Sequence, residues 1–409
     1  MKTVRPYPAC TVTKKAEAAI LGGHPWVYAD EITAPPLPAP ANGALVDVLS
    51  AKGRYLGTGF LSEASKIRVR LLSRSPNDRF DAAFWRRRAE YAWAYRKTVL
   101  APEDLCACRV IFGEADQFPG LTVDRFGDIL VTQTLSYGME QRKGLIFPLL
   151  AEVLRADGQA IRGIYERNDA PLREREGLAQ GKGWFALAGE AAPACTRTLI
   201  TENGVQYEVD FENGQKTGFF LDQKYNRLAM QRICKGKRVL DCFTHMGTFA
   251  LNAGIAGASD VTGLDISEYA VQQANANAVR NHLEDTVHFR CANVLDELPK
   301  LAEAGEKYDV VILDPPAFTK SREATKNAIK GYREINMKGL KLVKDGGYLA
   351  TCSCSHFMTQ ELLAKTVKEA AKAAHKRLRQ VEFRTQAPDH PILMSVPETY
   401  YLKFFLFQI

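Results

Sequence analysis

Two side chains capable of covalent chemistry directly follow predicted apolar strands. Asp314 follows the strand at 308–313 and precedes two prolines, which stiffen the chain there. Cys354 follows the strand predicted at 346–352. Because ligands bind where parallel strands end, the carboxylate and the thiol are expected to face one pocket. A thiolate can attack an electron-poor carbon while a nearby acid stabilises the charge that develops, so the pair predicts covalent catalysis.

Methylation at carbon 5 of a pyrimidine needs this chemistry. Carbon 5 is a poor nucleophile until a thiolate, here Cys354, adds to carbon 6, and Asp314 would stabilise charge near ring nitrogen 3. The run Asp-Pro-Pro after a buried strand is typical of nucleic-acid methyltransferases. Enzymes that methylate exocyclic amines usually carry an aromatic residue right after the second proline, whereas here Ala317 precedes Phe318. The spacing therefore favours methylation of ring carbon.

Two other interpretations of Cys354 stay open. Cys352, Cys354 and His356 have the spacing of a zinc-binding run, but no second pair of metal ligands accompanies them, so we predict no metal site. Cys354 could also be an apolar filler of the core, a common role of buried cysteine.

A second candidate site lies earlier in the chain. An apolar strand predicted at 237–243 enters a tight turn and a helix of small residues, and the next strand, which includes 261–265, reaches Asp265. Such a turn admits an adenosyl ligand, and the acid accepts hydrogen bonds from ribose hydroxyls. Only Gly247 stands where a dinucleotide pyrophosphate needs three glycines. The turn thus favours S-adenosylmethionine (SAM) over NAD, with an ordinary sheet turn beside a chance acid as the alternative.

The elements that must position these residues form a repeated strand–helix rhythm after residue 212. Strands are predicted at 237–243, 261–266, 286–291, 308–313 and 346–352, with helices between them. The last strands, at 380–384 and 400–408, have a short connection and are expected to pair antiparallel. The predicted fold class is α/β, the Rossmann-like sheet of class I methyltransferases.

Composition limits the class of protein. The 409 residues exceed one ordinary core, and 46% hydrophobic with 25% charged residues is typical of a soluble globular chain. No apolar run approaches about 20 residues and the N-terminus has no signal core, so we expect a cytoplasmic protein without a membrane partner. The nine cysteines then are expected to be reduced, and the net charge of +7 favours a polyanionic partner.

The first half of the chain is predicted to hold two further domains. Residues 1–75 are expected to be all-β, 76–195 a central α+β domain, 196–211 a hairpin linker around Asn203-Gly204, and 212–409 the last domain. A helix predicted at 79–97 places aromatics beside arginines. This pattern suits RNA stacking, and packing of the aromatics on a core explains it equally well.

Several motifs together resemble the bacterial 23S rRNA large-subunit methyltransferase family of the 5-methylcytosine type. They are residues 213–224 (NGQKTGFFLDQK), 240–249 (LDCFTHMGTF), 314–318 (DPPAF) and 353–355 (SCS). The order of residues 22–28, 53–60 and 67–70 resembles a PUA domain, a small RNA-binding β-barrel. The resemblance covers essentially the whole chain and implies a PUA domain, a central domain and a SAM-binding domain.

The resemblance also implies roles for single residues. Cys354 matches the nucleophile, Asp314 closes the pocket beside the target base, and Glu398 matches the proton-abstracting base of related 5-methyluridine enzymes. Cys352 stands where family members need no cysteine. The implied SAM-binding residues are Gln223, Phe243, Thr244, Gly247, Thr248, Asp265 for the ribose, Ile266, Asn293 for the adenine edge, Val294, Asp314 and Pro315.

A basic segment follows the Asp-Pro-Pro run. Residues 320–344 carry eight basic side chains, of which we predict five to contact RNA phosphates: Lys320, Arg322, Lys326, Lys330 and Arg333. A solvated helix face is the other interpretation of this segment.

We therefore expect a SAM-dependent methyltransferase that makes 5-methylcytosine in 23S rRNA through a covalent adduct at Cys354. Methylation of another base, such as guanine at nitrogen 7, would need no thiol and is the alternative within the enzyme class. A non-catalytic RNA-binding or ribosome-assembly factor is the alternative outside it. The expected partner is rRNA or an assembly intermediate, and the family resemblance allows a homodimer.

Overall fold

The computed structural model describes residues 5–319, 321 and 323–409, which form two compact units. The first unit holds the chain up to Ile200 together with Val209–Phe219 and Pro388–Pro397. The second holds Thr201–Glu208, Phe220–Ala387 and Glu398–Ile409. Each unit is therefore assembled from separate stretches of chain. This division into two units does not test the four consecutive domains predicted from the sequence, which stay a prediction.

The first unit begins with a six-stranded sheet and one short helix. Its elements are β1 (Ala9–Val12), α1 (Lys14–Leu21), β2 (Trp26–Tyr28), β3 (Ile32–Ala34), β4 (Leu45–Ser50), β5 (Tyr55–Leu61) and β6 (Ile67–Ser73). The strand order is β2-β6-β5-β4-β1-β3. The sheet and α1 share one apolar core, in which Val12, Val46 and Val69 are fully buried. The sheet lies in the region for which the sequence predicts an all-β domain, and α1 is a helix that this prediction lacks.

A five-stranded sheet with flanking helices completes the first unit. Its elements are α2 (Ala82–Val99), β7 (Ala107–Phe112), β8 (Leu121–Phe126), β9 (Ile129–Thr134), α3 (Tyr137–Glu140), α4 (Lys143–Ala156), β10 (Gly163–Asn168) and β11 (Gly181–Phe185). Phe84, Trp85 and Trp93 of α2 are buried, and the Trp85 ring stacks 6.2 Å from that of Phe60. These three aromatic side chains therefore pack in a core and are not available to stack on RNA bases.

The predicted hairpin is present around Asn203-Gly204. Strands β12 (Arg197–Glu202) and β13 (Val205–Asp210) pair, and both turn residues have positive φ, 54° and 83°. A two-residue turn of this shape matches the twist of the strands, and Asn-Gly is the sequence that adopts it most readily.

The second unit contains the repeated strand–helix rhythm. Its elements are α5 (Lys224–Cys234), β14 (Arg238–Cys242), α6 (Thr248–Ile255), β15 (Asp260–Asp265), α7 (Glu268–Arg280), β16 (Val287–Cys291), α8 (Val294–Glu303), β17 (Tyr308–Leu313), α9 (Thr325–Leu342), β18 (Val343–Ser353), α10 (Gln360–Ala373), β19 (Arg379–Arg384) and β20 (Lys403–Gln408). Each predicted strand is present, with ends that differ by a few residues.

These seven strands form one sheet in the order β16-β15-β14-β17-β18-β20-β19. The first five are parallel, whereas β20 is antiparallel to both of its neighbours. The expected Rossmann-like sheet with an antiparallel pair is thus confirmed. Its central strands β14 and β17 are buried along most of their length because helices cover parallel strands on both faces.

One core cluster joins the sheet to helices α8, α9 and α10. Fully buried members include Leu313 of β17, Tyr332 of α9, Leu363 of α10 and Leu349 of β18. Phe405 and Phe407 of β20 belong to the same cluster. The residues that end β14, β15, β17 and β18 therefore stand on a packed, rigid frame. Across the described ranges, no helix is long and apolar enough to cross a membrane.

Candidate active site

The turn after β14 is tied to the start of α6 by one buried carboxylate. Asp241 Oδ2 accepts hydrogen bonds from Thr244 Oγ1 at 2.5 Å and from the Ala250 amide at 3.0 Å. The second oxygen, Oδ1, is buried and has no hydrogen-bond partner among the residues described. A buried, unpaired carboxylate oxygen is costly, which suggests that a ligand group completes this site.

The backbone of the turn is unusually tight. Phe243, His245 and Gly247 have φ values of +64°, +52° and +84°, and only the last is glycine. A Cβ at position 247 would lie 2.6 Å from the Phe289 ring, so a larger residue cannot stand there. Strained backbone of this kind is concentrated where proteins hold ligands closely.

Asp265 stands beside this turn at the end of β15. Its Oδ2 accepts from the His245 amide and its Oδ1 from the Ser267 amide, both at 2.9 Å. Each oxygen keeps a second lone pair, which vicinal hydroxyls could use. The next side chain, Ile266, is 71% exposed and offers an apolar surface at the same edge. This arrangement fits the ribose and base of an adenosyl group.

Asn293 and Val294, the two residues after β16 that were predicted to bind SAM, have different environments. Asn293 caps α8, since its Oδ1 accepts from the Leu295 amide at 3.1 Å while its Nδ2 donates to Asp296 at 2.8 Å. Its side-chain amide is therefore engaged by the helix. Val294 is buried as the first residue of α8.

A connected polar cluster surrounds Asp314 at the end of β17. Gln223 Nε2 donates to Asp314 Oδ2 at 3.1 Å, and Asn226 Nδ2 donates to Gln223 Oε1 at 2.6 Å. The Cys352 thiol, fully buried on β18, is hydrogen-bonded to Asp314 and Gln223. Burial raises the pKa of Cys352 well above its usual value, so this cysteine remains a thiol.

Two acids at these strand ends are poised to titrate near neutral pH. Burial raises the pKa of Asp241 to about 7. Burial, reinforced by the charge of Asp222, raises the pKa of Asp314 to about 6. A cationic ligand would reverse this effect by stabilising both carboxylates. The orphaned oxygen and the tight glycine turn fit SAM, whose methionine end carries positive charge.

Cys354 lies just beyond the end of β18 and is half-buried. The residues on each side of it are fixed: Ser353 Oγ donates to the Tyr332 hydroxyl at 2.9 Å, and Ser355 Oγ donates to the Thr319 carbonyl at 3.0 Å. Of the two cysteines here, Cys354 is the one that a substrate could reach. The structure thus brings Cys354 and Asp314 to adjacent parallel strand ends, as the sequence predicts.

The other predicted residues have the following positions. Glu398 is exposed on a short 3-10 turn, Pro397–Thr399. Pro315 and Thr248 are buried next to the strand ends. Lys326, Lys330 and Arg333 are exposed on α9. Lys320 and Arg322 lie outside the described residues.

Sequence reasoning missed three polar residues of this region. Asp222 and Asn226 flank the Gln223 cluster, and Lys403 is 1% exposed at the start of β20. Lys403 could have been noticed as a single lysine directly before the apolar run Phe404–Phe407. Burying a charge at such a position costs free energy, so its presence there indicates a function.

Comparisons with known proteins agree with this geometry. Residues 10–74 match the model of a PUA-like domain, and residues 183–407 match that of an S-adenosylmethionine-dependent methyltransferase. A Streptococcus mutans protein assigned as a SAM-dependent methyltransferase has a TM-score of 0.80 at 22% identity, covering 98% of this chain and all of that one. A methyltransferase structure complexed with SAH reaches 0.82 at 22% identity over the same shares. At this identity these two structures show the shared fold.

Sequence relatives are closer. The ribosomal RNA large subunit methyltransferase I of Shewanella denitrificans is 40% identical over 93% of this chain and 94% of its own length. Its namesake from Klebsiella pneumoniae is 36% identical over 98% of both chains. The resemblance to this family, the PUA-like domain and the SAM cofactor are confirmed. The chain belongs to the ribosomal RNA large subunit methyltransferase I family and is an S-adenosylmethionine-dependent methyltransferase.

Proposed function

We propose that this enzyme methylates carbon 5 of a cytosine in large-subunit (23S) rRNA and that Cys354 is the nucleophile. The observation that carries the proposal is the reachable thiol of Cys354 beside Asp314, on adjacent parallel strands. The relatives are named as ribosomal RNA methyltransferases, which supports an RNA substrate. The PUA-like domain supports it as well, since this is an RNA-binding type of domain.

The proposed chemistry uses Cys354 twice. Its thiolate forms a bond to carbon 6, and the electrons of the carbon 5–carbon 6 double bond move into the ring toward nitrogen 3. Asp314, in its protonated form, donates a hydrogen bond to nitrogen 3 and so stabilises that charge; burial raises its pKa to about 6, which favours this form. The electron pair returns through carbon 5 to bond a methyl group. Bound SAM would supply that group as an electrophile, its sulfur–methyl bond breaking so that S-adenosylhomocysteine leaves. A base then takes the carbon 5 proton, the double bond re-forms, and the thiolate leaves carbon 6.

Glu398 is the proposed base for that last step. It is exposed on its 3-10 turn, so an RNA base presented at the pocket could approach it. The target nucleotide has to leave its stack, or lie in a loop, to reach the thiol.

The proposed SAM site combines the strand ends described above. Asp265 would hold the ribose, with Ile266 and the Asn293–Val294 peptide beside the adenine. The tight turn of Phe243–Thr248 would enclose the ligand, and Gln223, Asp241 and Asp314 would face its methionine end. The side chain of Asn293 serves α8, so its backbone would face the adenine edge.

The decisive experiment incubates the enzyme with methyl-labelled SAM and unmodified 23S rRNA, followed by nucleoside mass spectrometry. Labelled 5-methylcytidine is the expected product. Labelled 7-methylguanosine would overturn the proposed chemistry while keeping fold and cofactor. SAM binding with no label in any RNA would favour a non-catalytic assembly factor.

The raised pKa values predict how SAM affinity depends on pH. A cationic ligand favours the ionised acids, so the pKa values of Asp241 and Asp314 fall on binding and protons are released. Affinity should therefore rise with pH through the range of about 6 to 7 and level off above it. We expect the dissociation constant to fall roughly tenfold between about pH 5.5 and 7.5, measured by calorimetry.

Two controls sharpen this test. S-adenosylhomocysteine lacks the sulfonium charge, so its affinity should change less over the same range. Asp241→Asn removes one titrating group and should flatten the SAM profile. If the SAM affinity of the wild-type enzyme depended on pH as little as that of Asp241→Asn, the assignment of these two acids to the SAM site would be wrong.

The exposed cations of α9 predict an RNA contact. Lys326, Lys330 and Arg333 are spaced four and three residues apart, so they share one helix face, and none forms an ion pair among the residues described. Changing all three to glutamine should weaken binding of a 23S rRNA fragment and lower the slope of log affinity against log salt by roughly 2, measured by fluorescence anisotropy.

Helix α10 provides a matched control for that variant. Lys365, Lys368 and Lys372 are also exposed, with spacings of three and four residues. The corresponding triple glutamine variant should keep the wild-type salt slope. Equal losses in the two variants would mean that α9 contributes only general positive charge.

We further propose that the enzyme works in the cytoplasm, where rRNA is available to it. A homodimer, which the family resemblance allows, stays a prediction that the molar mass in solution would test.

A further inference from the structure

Lys403 is a buried cation in an apolar strand. It is 1% exposed, and Phe404–Phe407 follow it in β20. Its ammonium donates to the Ser355 carbonyl at 2.8 Å and to the Tyr401 carbonyl at 3.1 Å, and it lies 5.1 Å from the centre of the Tyr400 ring. Within the described part of the chain, no carboxylate forms a salt bridge with it. Burying a charge without an ion pair is costly, which calls for a functional explanation.

The strand pairing places this ammonium next to Cys354. Lys403 lies opposite Ser353 in the β18–β20 ladder, and its Nζ reaches the carbonyl of Ser355. The lysine therefore contacts the chain immediately before and immediately after Cys354. Ser353 and Ser355 are also anchored through their hydroxyls, so the backbone on both sides of Cys354 is held beside the ammonium.

Other ionisable groups surround the pair. Asp314 directly after β17, Cys352 of β18 and Glu361 of α10 are acidic, and a negative charge on any of them opposes a thiolate. Burial raises the pKa of Tyr332 on α9, so its phenol stays protonated. Tyr400 is likewise neutral, with a pKa raised by burial. Within two residues of Cys354 along the described chain, His356 is the residue whose side chain can be positively charged.

We propose that the buried ammonium of Lys403 stabilises the thiolate of Cys354 and is thus a positioning residue for the nucleophile. The inference rests on the proposed covalent function. As the thiolate forms, the thiol proton goes to solvent and Lys403 keeps its own proton. The same charge stabilises the thiolate when it leaves carbon 6, so both cysteine steps benefit.

The charges also agree with this arrangement. Burial lowers the pKa of Lys403 to about 8, while a negative charge on Cys354 would raise it. Lys403 is therefore mostly protonated at neutral pH, and its positive charge and the negative charge of the Cys354 thiolate stabilise each other.

The test measures the reactivity of Cys354 directly. The full-length protein is alkylated with iodoacetamide over a range of pH, and the modified Cys354 peptide is quantified by mass spectrometry. Wild-type enzyme should show a midpoint below the ordinary thiol value of about 8.5. Lys403→Met and Lys403→Gln should move the midpoint upward by about one pH unit or more, and Lys403→Arg should restore it. The pH profile of kcat should move in the same direction.

Further measurements make the outcome decisive. Lys403→Gln keeps donors for the two carbonyls without the charge, and unchanged SAM affinity shows that the variants are folded. His356→Gln is the matched control and should leave the midpoint unchanged. A wild-type midpoint at or above 8.5, or no change in folded Lys403→Gln, would overturn the inference. Methylation that survives Cys354→Ala would instead overturn the proposed function, whatever the alkylation profile.

Discussion

Replacing Cys354 with alanine is expected to lower kcat/KM for RNA methylation at least about a thousandfold, with SAM affinity unchanged. Without the thiolate, carbon 5 of the target cytosine has no means of becoming nucleophilic. SAM affinity should persist because the proposed cofactor contacts lie on the turn after β14 and at the ends of β15 and β17. Methyl transfer to unmodified 23S rRNA and calorimetric SAM binding measure the two effects separately.

Cys352→Ala is the matched control for this prediction. Cys352 is fully buried, and its raised pKa keeps it a thiol, so its loss should reduce activity far less. RNA containing 5-fluorocytosine provides a second readout, because fluorine at carbon 5 blocks the final elimination. Wild type and Cys352→Ala should form a stable protein–RNA adduct and Cys354→Ala should not. Full activity of Cys354→Ala would refute covalent catalysis and favour guanine nitrogen 7 as the target.

Arg227→Met should destabilise the second unit by about 3–5 kcal/mol. Arg227 of α5 forms a bidentate ion pair with Glu202 of β12, with Nε–Oε1 and Nη2–Oε2 distances of 2.6 and 2.9 Å, and it also donates to the Phe220 carbonyl. Both side chains are at most 1% exposed. Removing the arginine leaves the carboxylate buried without its partner. Urea unfolding followed by circular dichroism measures the loss of free energy of unfolding.

Two comparisons isolate the cause of this loss. The double variant Glu202→Leu/Arg227→Met removes both charges and should regain most of the stability. Arg290→Met breaks the exposed pair with Glu297 and should cost less than about 1 kcal/mol. If Arg227→Met were as mild as Arg290→Met, the buried pair would not be a major source of stability.

The methyltransferase sheet could be predicted from sequence because its signals are local. Apolar runs within the strands, above all Val310–Leu313 of β17, mark strands that are covered on both faces. The residue after such a run lies at the edge of the sheet where ligands bind, which is why Asp314 and Cys354 could be predicted to lie together. Asn203-Gly204 was predicted equally well, since the turn needs two residues with positive φ.

The remaining features depend on contacts between distant parts of the chain. Lys403 meets the Ser355 carbonyl across 48 residues, and no local pattern predicts that pairing. Asn293 was predicted to meet the adenine edge, yet its side chain caps α8, a role that the same residue type serves well at a helix start. The aromatics of α2 fit an RNA-stacking pattern and a packing pattern alike, and only the burial of Trp85 and Trp93 separates the two.

The position of β20 in the sheet has a consequence for protein synthesis. β20 follows all the other strands of its sheet in the chain, yet it lies between β18 and β19. While the ribosome is still translating the preceding residues, β18 has an open edge and the core lacks Phe405 and Phe407. An open edge of this kind invites wrong pairing, so the nascent chain is exposed to mispairing until β20 has been synthesised. The six-stranded sheet at the start of the chain emerges much earlier. The nascent chain therefore gains its PUA-like sheet before it gains a complete methyltransferase sheet.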